Sequence, residues 1–432
     1  MSGAGLAAYR TLSPLMPGVL RLLSPLIAPL KEFLRLRQSL FSDIERKLTA
    51  IPKPACRLWV HASSVGEFEQ ARPVIAELKR KMPGLDVVVS FLSDSGYEAR
   101  KNYENASAVF YLPIDTPANA RRIVGMIKPD IFMLMRYDFW PNHLETIKRS
   151  GAKMVLASAA LPPGSSCFHP LLKGFHRDIF ALFDSIFTVS EEDRKTFIET
   201  FGCRNVIQAG DPRFDQVEQR RRDSDARATS LKPWFEGLQV LVAGSTWKED
   251  ESALLPAWIP FRDKLSLVVV PHKVDRPNIE RLLLDLRQRG LEAVTISLMG
   301  DRFDPGKQVL VVDQTGYLAE LYTVASMAYV GGAFGVNVHN TIEPAVHGIP
   351  VLFGPNYSKS PEAMGLIESG GATTISGEPD LRHALARFVE DPAFLRQAGE
   401  RAGTFVNSRL GATRIVSDAM EGMCRTRSRS SI

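Results

Sequence analysis

A helix-capping pattern occurs twice in this chain, each time with a glutamate that could do acid–base chemistry. Ser64–Glu67 (SVGE) follows the apolar run RLWVHA and has the spacing of a capping box, in which the glutamate folds back on the start of a helix. Asn340–Glu343 (NTIE) repeats that spacing later in the chain. These residues alone leave open whether Glu67 only caps a helix or also acts as a catalytic base.

Charged residues follow two other apolar runs of the first half. Arg136 and Asp138 lie in RYDFWPN, and Arg213 lies in GDPRFD. A carboxylate beside these cations would suit the activation of a hydroxyl and the binding of an anion. The simpler alternatives are that Asp138 pairs with Arg136 and that Arg213 is a solvated loop charge.

The second half has features that favour nucleotide binding. Gly244–Thr246 (GST) is expected to open a helix, where backbone N–H groups and hydroxyls can meet a phosphate. Gly331 and Gly332 allow a ligand to approach the backbone closely, and Glu343 could accept ribose hydroxyls. The chain contains no G-x-G-x-x-G fingerprint and no P-loop, which counts against a dehydrogenase or an NTPase.

Apolar, strand-like runs alternate with helix-like segments throughout the chain, which predicts parallel sheets covered on both faces. We expect two doubly wound α/β domains that face a central cleft, with ligands beyond the carboxyl ends of the strands. The expected divisions are an N-terminal apolar and basic segment, a first Rossmann-like domain, a polar linker without apolar periodicity, a second Rossmann-like domain, and a C-terminal helix with a basic tail: 1–48, 49–215, 216–236, 237–410 and 411–432.

Composition excludes several other classes of protein. Of the 432 residues, 45% are hydrophobic and 23% charged, which is typical of a soluble globular protein. The net charge of +5 is not concentrated on a nucleic-acid-binding motif, so no nucleic-acid partner is expected. The four cysteines are scattered and have no His cluster beside them, so we expect a reducing compartment, no disulfide scaffold and no metal site.

The N-terminal segment mixes apolar residues with cations and prolines. Residues 1–48 carry seven basic and three acidic residues, and Arg21 and four prolines interrupt the apolar run LSPLMPGVLRLLSPLIAPL. An uninterrupted membrane span of about 20 apolar residues is therefore not available. We expect a segment that lies in a membrane interface; the alternatives are a helix packed on its own domain and a true span.

Five motifs, in their order along the chain, resemble the 3-deoxy-D-manno-octulosonic acid (Kdo) transferase family: WVHASSVGEFEQARPVI, FWPN, GDPRFD, GSTWKEDE and GGAFGVNVHNTIEPAVHGIPVLFGP. The resemblance covers roughly residues 20–410. It implies a GT-B fold and an inverting, metal-independent transfer of Kdo from CMP-Kdo to a lipid A precursor (lipid IVA). It also implies attachment to the cytoplasmic face of the bacterial inner membrane and no cofactor.

The resemblance also assigns roles to single residues. Glu67 would be the general base, and Asp138 and Arg213 would stabilise the transition state. Ser64, Gly66 and Arg136 are candidates on the acceptor side. The residues expected to bind the CMP donor are Ser245, Thr246, Pro271, His272, Gly316, Tyr317, Leu318, Gly332, Asn340, Thr341, Ile342 and Glu343.

The chain departs from the family pattern on the acceptor side. Arg136 and Asp138 stand where the family commonly has two glutamates, and Arg213 stands where lysine is usual. The number of Kdo residues transferred and the acceptor therefore stay open. Two other functions compete with Kdo transfer: a GT-B enzyme with another nucleotide sugar (a UDP-sugar transferase or epimerase), and a non-catalytic scaffold at a membrane surface.

Overall fold

Both halves of the chain form a seven-stranded parallel sheet, which confirms the predicted α/β class. The structure is a computed structural model that describes residues 4–49, 54–162, 164–300 and 303–429; the side chains of residues 4, 226, 227 and 426–429 are not described. The chain divides into unit 1 (Met1–Asp215 and Gly411–Ile432) and unit 2 (Gln216–Leu410).

The sheet of unit 1 has the order β3-β2-β1-β4-β5-β6-β7. Every side chain of β1 and β2 is buried, because helices cover both faces of the sheet. The strands of unit 1 are β1 (Cys56–Ala62), β2 (Leu85–Phe91), β3 (Ala108–Tyr111), β4 (Ile131–Met135), β5 (Lys153–Ala159), β6 (Ser185–Thr188) and β7 (Val206–Gln208).

The sheet of unit 2 has the order β10-β11-β9-β8-β12-β13-β14. Its core is formed by aliphatic side chains of the central strands, such as Leu241 and Val269, neither of which is exposed. The strands of unit 2 are β8 (Gln239–Thr246), β9 (Leu265–Pro271), β10 (Glu292–Thr295), β11 (Gln308–Val311), β12 (Met327–Val330), β13 (Val351–Phe353) and β14 (Ala372–Thr374).

The helices connect successive strands. Those of the first stretch of unit 1 are α1 (Ala4–Leu12), α2 (Met16–Leu23), α3 (Ala28–Arg35), α4 (Leu40–Thr49), α5 (Val65–Lys81), α6 (Asp94–Arg100), α7 (Pro117–Ile127), α8 (Pro141–Arg149), α9 (Pro170–Phe180), α10 (Glu191–Lys195) and the start of α11 (Pro212–Arg227). The rest are α12 (Lys232–Phe235), α13 (Lys248–Trp258), α14 (Arg276–Gln288), α15 (Leu318–Tyr322), α16 (Ile342–Ala345), α17 (Pro361–Glu368), α18 (Glu378–Glu390), α19 (Pro392–Asn407) and α20 (Ala412–Arg429).

The N-terminal segment is helical and its later part is integral to unit 1. Ile44 of α4 is fully buried in the core of the unit, and Arg37 donates to the carbonyl oxygens of Leu92 (2.8 Å) and Leu112 (2.9 Å). Several large apolar side chains of α2 and of the segments on either side of it are instead exposed: Leu12, Leu15, Val19, Leu22, Leu23, Leu26 and Ile27. None of the helices in the described ranges is both long and apolar enough to cross a membrane.

Residues 216–236, for which we expect a linker, are mostly helical and belong to unit 2. Val217, Leu231 and Phe235 are buried, and Phe235 packs against Phe303 at a ring-centroid distance of 6.2 Å. The apolar positions are too widely spaced to give a helical period in the sequence, although they are enough to fix the segment on its unit.

The C-terminal helix α20 returns to unit 1 and packs against α5. Lys81 of α5 donates to Ser417 of α20 at 3.1 Å. A disulfide joins Cys56, at the start of β1, to Cys424 of α20, so the expectation that no cysteines pair is wrong for these two. Because the two cysteines are 368 residues apart in the sequence, no local pattern indicates that they are in contact.

Asp215 fixes the start of α20. Its carboxylate accepts from the backbone N–H groups of Gly411 (2.6 Å) and Thr413 (2.7 Å), which are among the unpaired donors of a helix N-terminus. Asp215 ends the first stretch of unit 1 (Met1–Asp215), and its carboxylate therefore fixes the start of the second stretch (Gly411–Ile432).

We expect Asp215→Ala to lower the free energy of unfolding by about 1–2 kcal/mol, because it removes two charge-assisted capping hydrogen bonds. Urea denaturation followed by circular dichroism measures the change. Glu98→Ala, which removes only an exposed ion pair with Lys101, is the control and should leave the midpoint unchanged. Equal midpoints for the two variants would contradict this role of Asp215.

Candidate active site

The predicted site residues follow the carboxyl ends of strands, and several of them lie where the strand order of a sheet reverses. In unit 1, successive connections lead away from β1 on one side and from β4 on the other, so the reversal lies between these two strands. In unit 2 it lies between β8 and β12. Ligands of doubly wound sheets bind outside the carboxyl ends of the strands at such positions.

Glu67 lies in the first turn of α5 and folds back on the start of the helix as predicted, although its partner is Ser63 and not the N-cap residue Ser64. Ser64 is the N-cap residue, with its hydroxyl 3.5 Å from the Glu67 nitrogen. The Glu67 carboxylate accepts through Oε2 from the backbone nitrogen (2.6 Å) and hydroxyl (2.8 Å) of Ser63. No donor among the described residues contacts its other oxygen, Oε1. One oxygen therefore fixes the carboxylate, and the other is available to take a proton.

Asp138 follows β4 and pairs with His61, the sixth residue of β1. Its Oδ2 atom lies 3.0 Å from Nε2 of His61, and Nδ1 of that ring lies 2.9 Å from the Ser90 hydroxyl. Burial alone raises the pKa of Asp138, but the hydrogen bond and the charge of His61 outweigh it, so the pKa lies below its usual range. The carboxylate is therefore ionised at neutral pH. The simpler expectation, an Asp138–Arg136 ion pair, is wrong.

Arg136 and Arg213 are joined by a chain of polar side chains. Arg136 donates through Nε to the Gln70 side-chain oxygen at 2.9 Å. The Gln70 nitrogen lies 3.3 Å from Oδ2 and 3.4 Å from Oδ1 of Asp211. Asp211 in turn accepts from Nε of Arg213 at 2.8 Å. Arg213 is thus held by a buried carboxylate and is not a solvated loop charge.

Three rings stack beside the carboxyl ends of β8, β9 and β12 in unit 2. His272 lies between Trp247, at a centroid distance of 4.6 Å, and His339, at 4.4 Å. Trp247 donates through Nε1 to Nε2 of His339 at 3.0 Å. Partial burial lowers the pKa of both histidines, and the charge of Lys273 adds to the effect on His272. Both rings are therefore neutral at neutral pH. Because His272 is stacked on both sides, the faces on which a planar ligand could stack are the outer ones of Trp247 and His339.

Asp250 holds the loops that carry these rings. Its buried carboxylate accepts from the backbone nitrogens of Trp247 and Gly332, each at 2.9 Å, and from the Tyr329 hydroxyl at 2.8 Å. Trp247 and Asp250 cap α13, so this helix begins at Lys248. The GST stretch at Gly244–Thr246, which we expected to open the helix, lies before it. Gly332 has φ 94°, and a Cβ there would lie 2.6 Å from the Asn337 oxygen and 2.7 Å from the His339 ring.

The remaining donor-side residues surround the same strand ends. Ser245 has φ 55°, and the buried Thr246 donates to Glu251 at 3.1 Å. Pro271 ends β9 beside His272. Gly316 has φ 96°, and Tyr317 and Leu318 begin α15.

The second predicted cap is not formed. Asn340 accepts from the Ile342 nitrogen at 3.1 Å, but Glu343 does not fold back on the helix start and instead pairs with Arg220 of α11 at 2.8 Å. Thr341 is fully buried, and its hydroxyl has no hydrogen-bond partner among the described residues. Helix α16 has only four residues, too short for the capping geometry that the spacing implies.

Six residues of these networks were missed as site residues by sequence reasoning: His61, Gln70, Asp211, Trp247, Asp250 and His339. Gln70 and Asp211 are 141 positions apart, so no local pattern shows their contact. Trp247 and Asp250 lie inside GSTWKEDE, but tryptophan is not a usual N-cap residue, so no capping pattern in the sequence identifies them. The described residues contain no group of three or more His, Cys, Asp or Glu side chains that could hold a metal ion.

We expect Gly332→Ala to lower the free energy of unfolding by more than about 2 kcal/mol, because the new methyl group clashes with backbone and the φ value is unfavourable for alanine. Thermal or urea unfolding measures the loss. Gly125→Ala is the matched control: it lies in α7 with no atom within 4 Å of its Cβ position, and it should stabilise by up to about 1 kcal/mol. A neutral Gly332→Ala variant would contradict the packing argument.

Comparison of the chain with solved structures supports the two-domain fold. The structure of a UDP-GlcNAc 2-epimerase from Neisseria meningitidis superposes with a TM-score of 0.58, covering 85% of this chain and 100% of that one. The two sequences are only 14% identical, so this likeness concerns the GT-B fold alone.

Sequence comparisons identify the family. The family model for 3-deoxy-D-manno-octulosonic-acid transferase matches residues 36–216. A 3-deoxy-D-manno-octulosonic acid transferase of Aquifex aeolicus is 30% identical over 326 residues, 73% of this chain and 80% of the relative. Another, from Chlamydophila psittaci, is 26% identical over 353 residues, 80% of each chain. With the carboxylates and arginines of unit 1 and the stacked rings of unit 2, these matches show that the chain belongs to the Kdo transferase family of glycosyltransferases.

Proposed function

We propose that the protein transfers Kdo from CMP-Kdo to a lipid A precursor (lipid IVA), with inversion at the anomeric carbon and without a metal ion. Family membership supports the donor sugar and the class of reaction. The observation that carries the mechanism is the Glu67 carboxylate, which is fixed through Oε2 and has no hydrogen-bond donor at Oε1 among the described residues.

In this mechanism Glu67 acts on the acceptor. Its Oε1 atom takes the proton of a sugar hydroxyl while that oxygen forms a bond to the anomeric carbon of Kdo. The bond from this carbon to the CMP phosphate oxygen breaks on the opposite face, and CMP leaves with the electron pair. The proton remains on Glu67 until solvent removes it. A positioned base of this kind contributes about 10²–10⁴-fold in rate.

Two further charges of unit 1 would stabilise the transition state. The ionised Asp138, held by His61 at 3.0 Å, would stabilise positive charge that develops on the Kdo ring. Arg213 would stabilise negative charge on the Kdo carboxylate or on the leaving phosphate, since Asp211 fixes its guanidinium. Ser64 and Gly66 would line the acceptor side at the start of α5.

The donor nucleotide would bind to unit 2. The outer faces of Trp247 and His339, on either side of His272, suit a planar base, which stacks on aromatic rings. Ser245, Thr246 and the backbone of Gly316–Leu318 would contact the phosphate. Glu343, which Arg220 holds through one oxygen, would accept ribose hydroxyls through the other.

We expect Glu67→Gln to lower kcat by at least about 10²-fold, because glutamine keeps a capping oxygen but cannot take the proton. The measurement is transfer from CMP-Kdo generated in situ, with EDTA present. CMP should stabilise wild type and variant equally in a thermal-shift assay, and UDP should stabilise neither.

Glu77→Gln is the matched control for this prediction. It makes the same change on the same helix, at a residue that pairs with exposed Arg80, and it should retain full activity. Full activity of Glu67→Gln would refute the base assignment. Stabilisation by UDP in place of CMP would favour a UDP-sugar enzyme.

We further propose that the protein acts at the cytoplasmic face of the bacterial inner membrane, with α2 and its flanking turns in the interface. Leu22 and Leu26 are 77% and 83% exposed, and Arg21, Lys31 and Arg35 line a neighbouring cavity of about 1040 Å³. Apolar side chains beside cations suit a surface of anionic lipid. A reducing cytoplasm would convert the disulfide between Cys56 and Cys424 into two thiols.

We expect the double substitution Leu22→Ser, Leu26→Ser to weaken binding to anionic vesicles at least about tenfold, because two exposed leucines no longer enter the lipid. Vesicle co-sedimentation measures binding. Leu284→Ser, Leu298→Ser is the control and removes two exposed leucines of unit 2. Equal binding by the two double variants would refute the attachment surface. These point changes are preferable to removing residues 1–48, because Ile44 belongs to the core.

A further inference from the structure

Arg136 is a half-buried cation whose charge is not paired. Its Nε atom donates to Gln70, and its backbone nitrogen donates to the Ala157 oxygen at 2.9 Å. Among the described residues, no acceptor bonds to its two terminal nitrogens and no carboxylate lies within ion-pair distance of them. A guanidinium whose two terminal NH2 groups have no acceptor can bind an oxyanion through two parallel hydrogen bonds.

The support behind Arg136 is buried and fixed in orientation. Gln70 is 1% exposed and Asp211 is 4% exposed. Because the Gln70 amide nitrogen faces the Asp211 carboxylate, its oxygen must face Arg136. Asp211 also neutralises Arg213 through an ion pair at 2.8 Å, so the uncompensated positive charge of this chain of side chains lies on Arg136.

The backbone of Arg136 supports a functional role for its position. Its φ value is 61°, in the left-handed region that residues other than glycine rarely adopt. The residue lies directly after β4, at the reversal of strand order, and Ser158 at the end of the neighbouring strand also has a positive φ of 52°. Unfavourable backbone conformations of this kind persist where the surrounding structure holds them, often at ligand sites.

The position of Gln70 relative to Glu67 indicates which substrate carries the anion that Arg136 would bind. The two residues lie three positions apart on α5, and therefore on the same face of the helix. Arg136, which contacts Gln70, thus lies beside the group that would activate the acceptor hydroxyl. Arg213 is already assigned to the anionic groups of the donor, so we assign an anion at Arg136 to the acceptor.

We propose that Arg136 binds an oxyanion on the acceptor sugar, close to the hydroxyl that is glycosylated, and that Gln70 positions its guanidinium. The inference rests on the proposed function in taking Glu67 as the base. The oxyanion has two sources: a phosphate on the sugar of the lipid precursor, or the carboxylate of a Kdo residue that has already been added.

The test compares three acceptors: the phosphorylated lipid precursor, its dephosphorylated form, and the phosphorylated precursor that already carries one Kdo. For wild type and Arg136→Gln, acceptor affinity is measured without donor, and KM values for acceptor and donor are measured in the transfer assay. We expect Arg136→Gln to weaken affinity for the anionic acceptor about 10- to 100-fold and to leave the donor KM unchanged. Arg136→Lys should recover part of the affinity, since it keeps the charge without the fork.

Combining dephosphorylation of the acceptor with Arg136→Gln identifies the source of the anion, because two changes that remove the same contact are not additive. If phosphate is the ligand, dephosphorylation and Arg136→Gln each weaken binding, and together they cost little more than either alone. If the carboxylate is the ligand, only the acceptor that carries Kdo is affected by the substitution. Equal losses with all three acceptors, or a loss confined to the donor KM, would overturn the proposal.

Two controls separate recognition from folding. Arg80→Gln removes an exposed arginine of α5 and should not change acceptor affinity. Gln70→Leu should weaken acceptor binding less than Arg136→Gln, and thermal unfolding shows whether either variant is folded. Absence of transfer by wild type would refute the proposed function, whereas the affinity measurement without donor tests the Arg136 site independently. Equal wild-type affinity for all three acceptors would refute the site.

Discussion

A buried carboxylate organises the loops of the candidate site in each unit. An ionised side chain can be buried only if its oxygens are paired, and this requirement brings separate segments of the chain together. In unit 1, Asp211 pairs with Gln70 of α5 and with Arg213 of α11. In unit 2, Asp250 pairs with the loop after β8, with β12 and with the turn that follows it. Asp211 thus holds Arg213 directly and Arg136 through Gln70, and Asp250 holds the loops that carry the stacked rings of unit 2.

Backbone strain collects at the same places. Four residues other than glycine have positive φ values in the described ranges: Lys128, Arg136, Ser158 and Ser245. Lys128 ends helix α7, where a left-handed residue is common, but the other three lie at the carboxyl ends of β4, β5 and β8. The hydrogen bonds around these strand ends offset the free-energy cost of the unfavourable conformations. Side chains can therefore point in directions that an ideal strand would not allow.

The sequence was sufficient to predict the fold class and insufficient to predict the contacts within the site. Buried parallel strands give continuous apolar runs, so most strands of both sheets are visible; β14 has only three residues, two of them exposed threonines, and gives no such run. The Glu67 cap was predictable because its partners lie within four residues. The partners of Asp138 and Arg136 lie 77 and 66 positions away, and no local pattern distinguishes them from an Asp138–Arg136 pair.

The contacts of Asp215 bear on how the chain is built. Unit 1 consists of two stretches separated by the 195 residues Gln216–Leu410, yet the Asp215 carboxylate lies 2.6 Å from the Gly411 nitrogen. In terms of chain connectivity, unit 2 is an insertion whose two attachment points on unit 1 are adjacent. A short linker could therefore join residue 215 to residue 411 and give unit 1 as an independent polypeptide, with its C-terminal helix still in place.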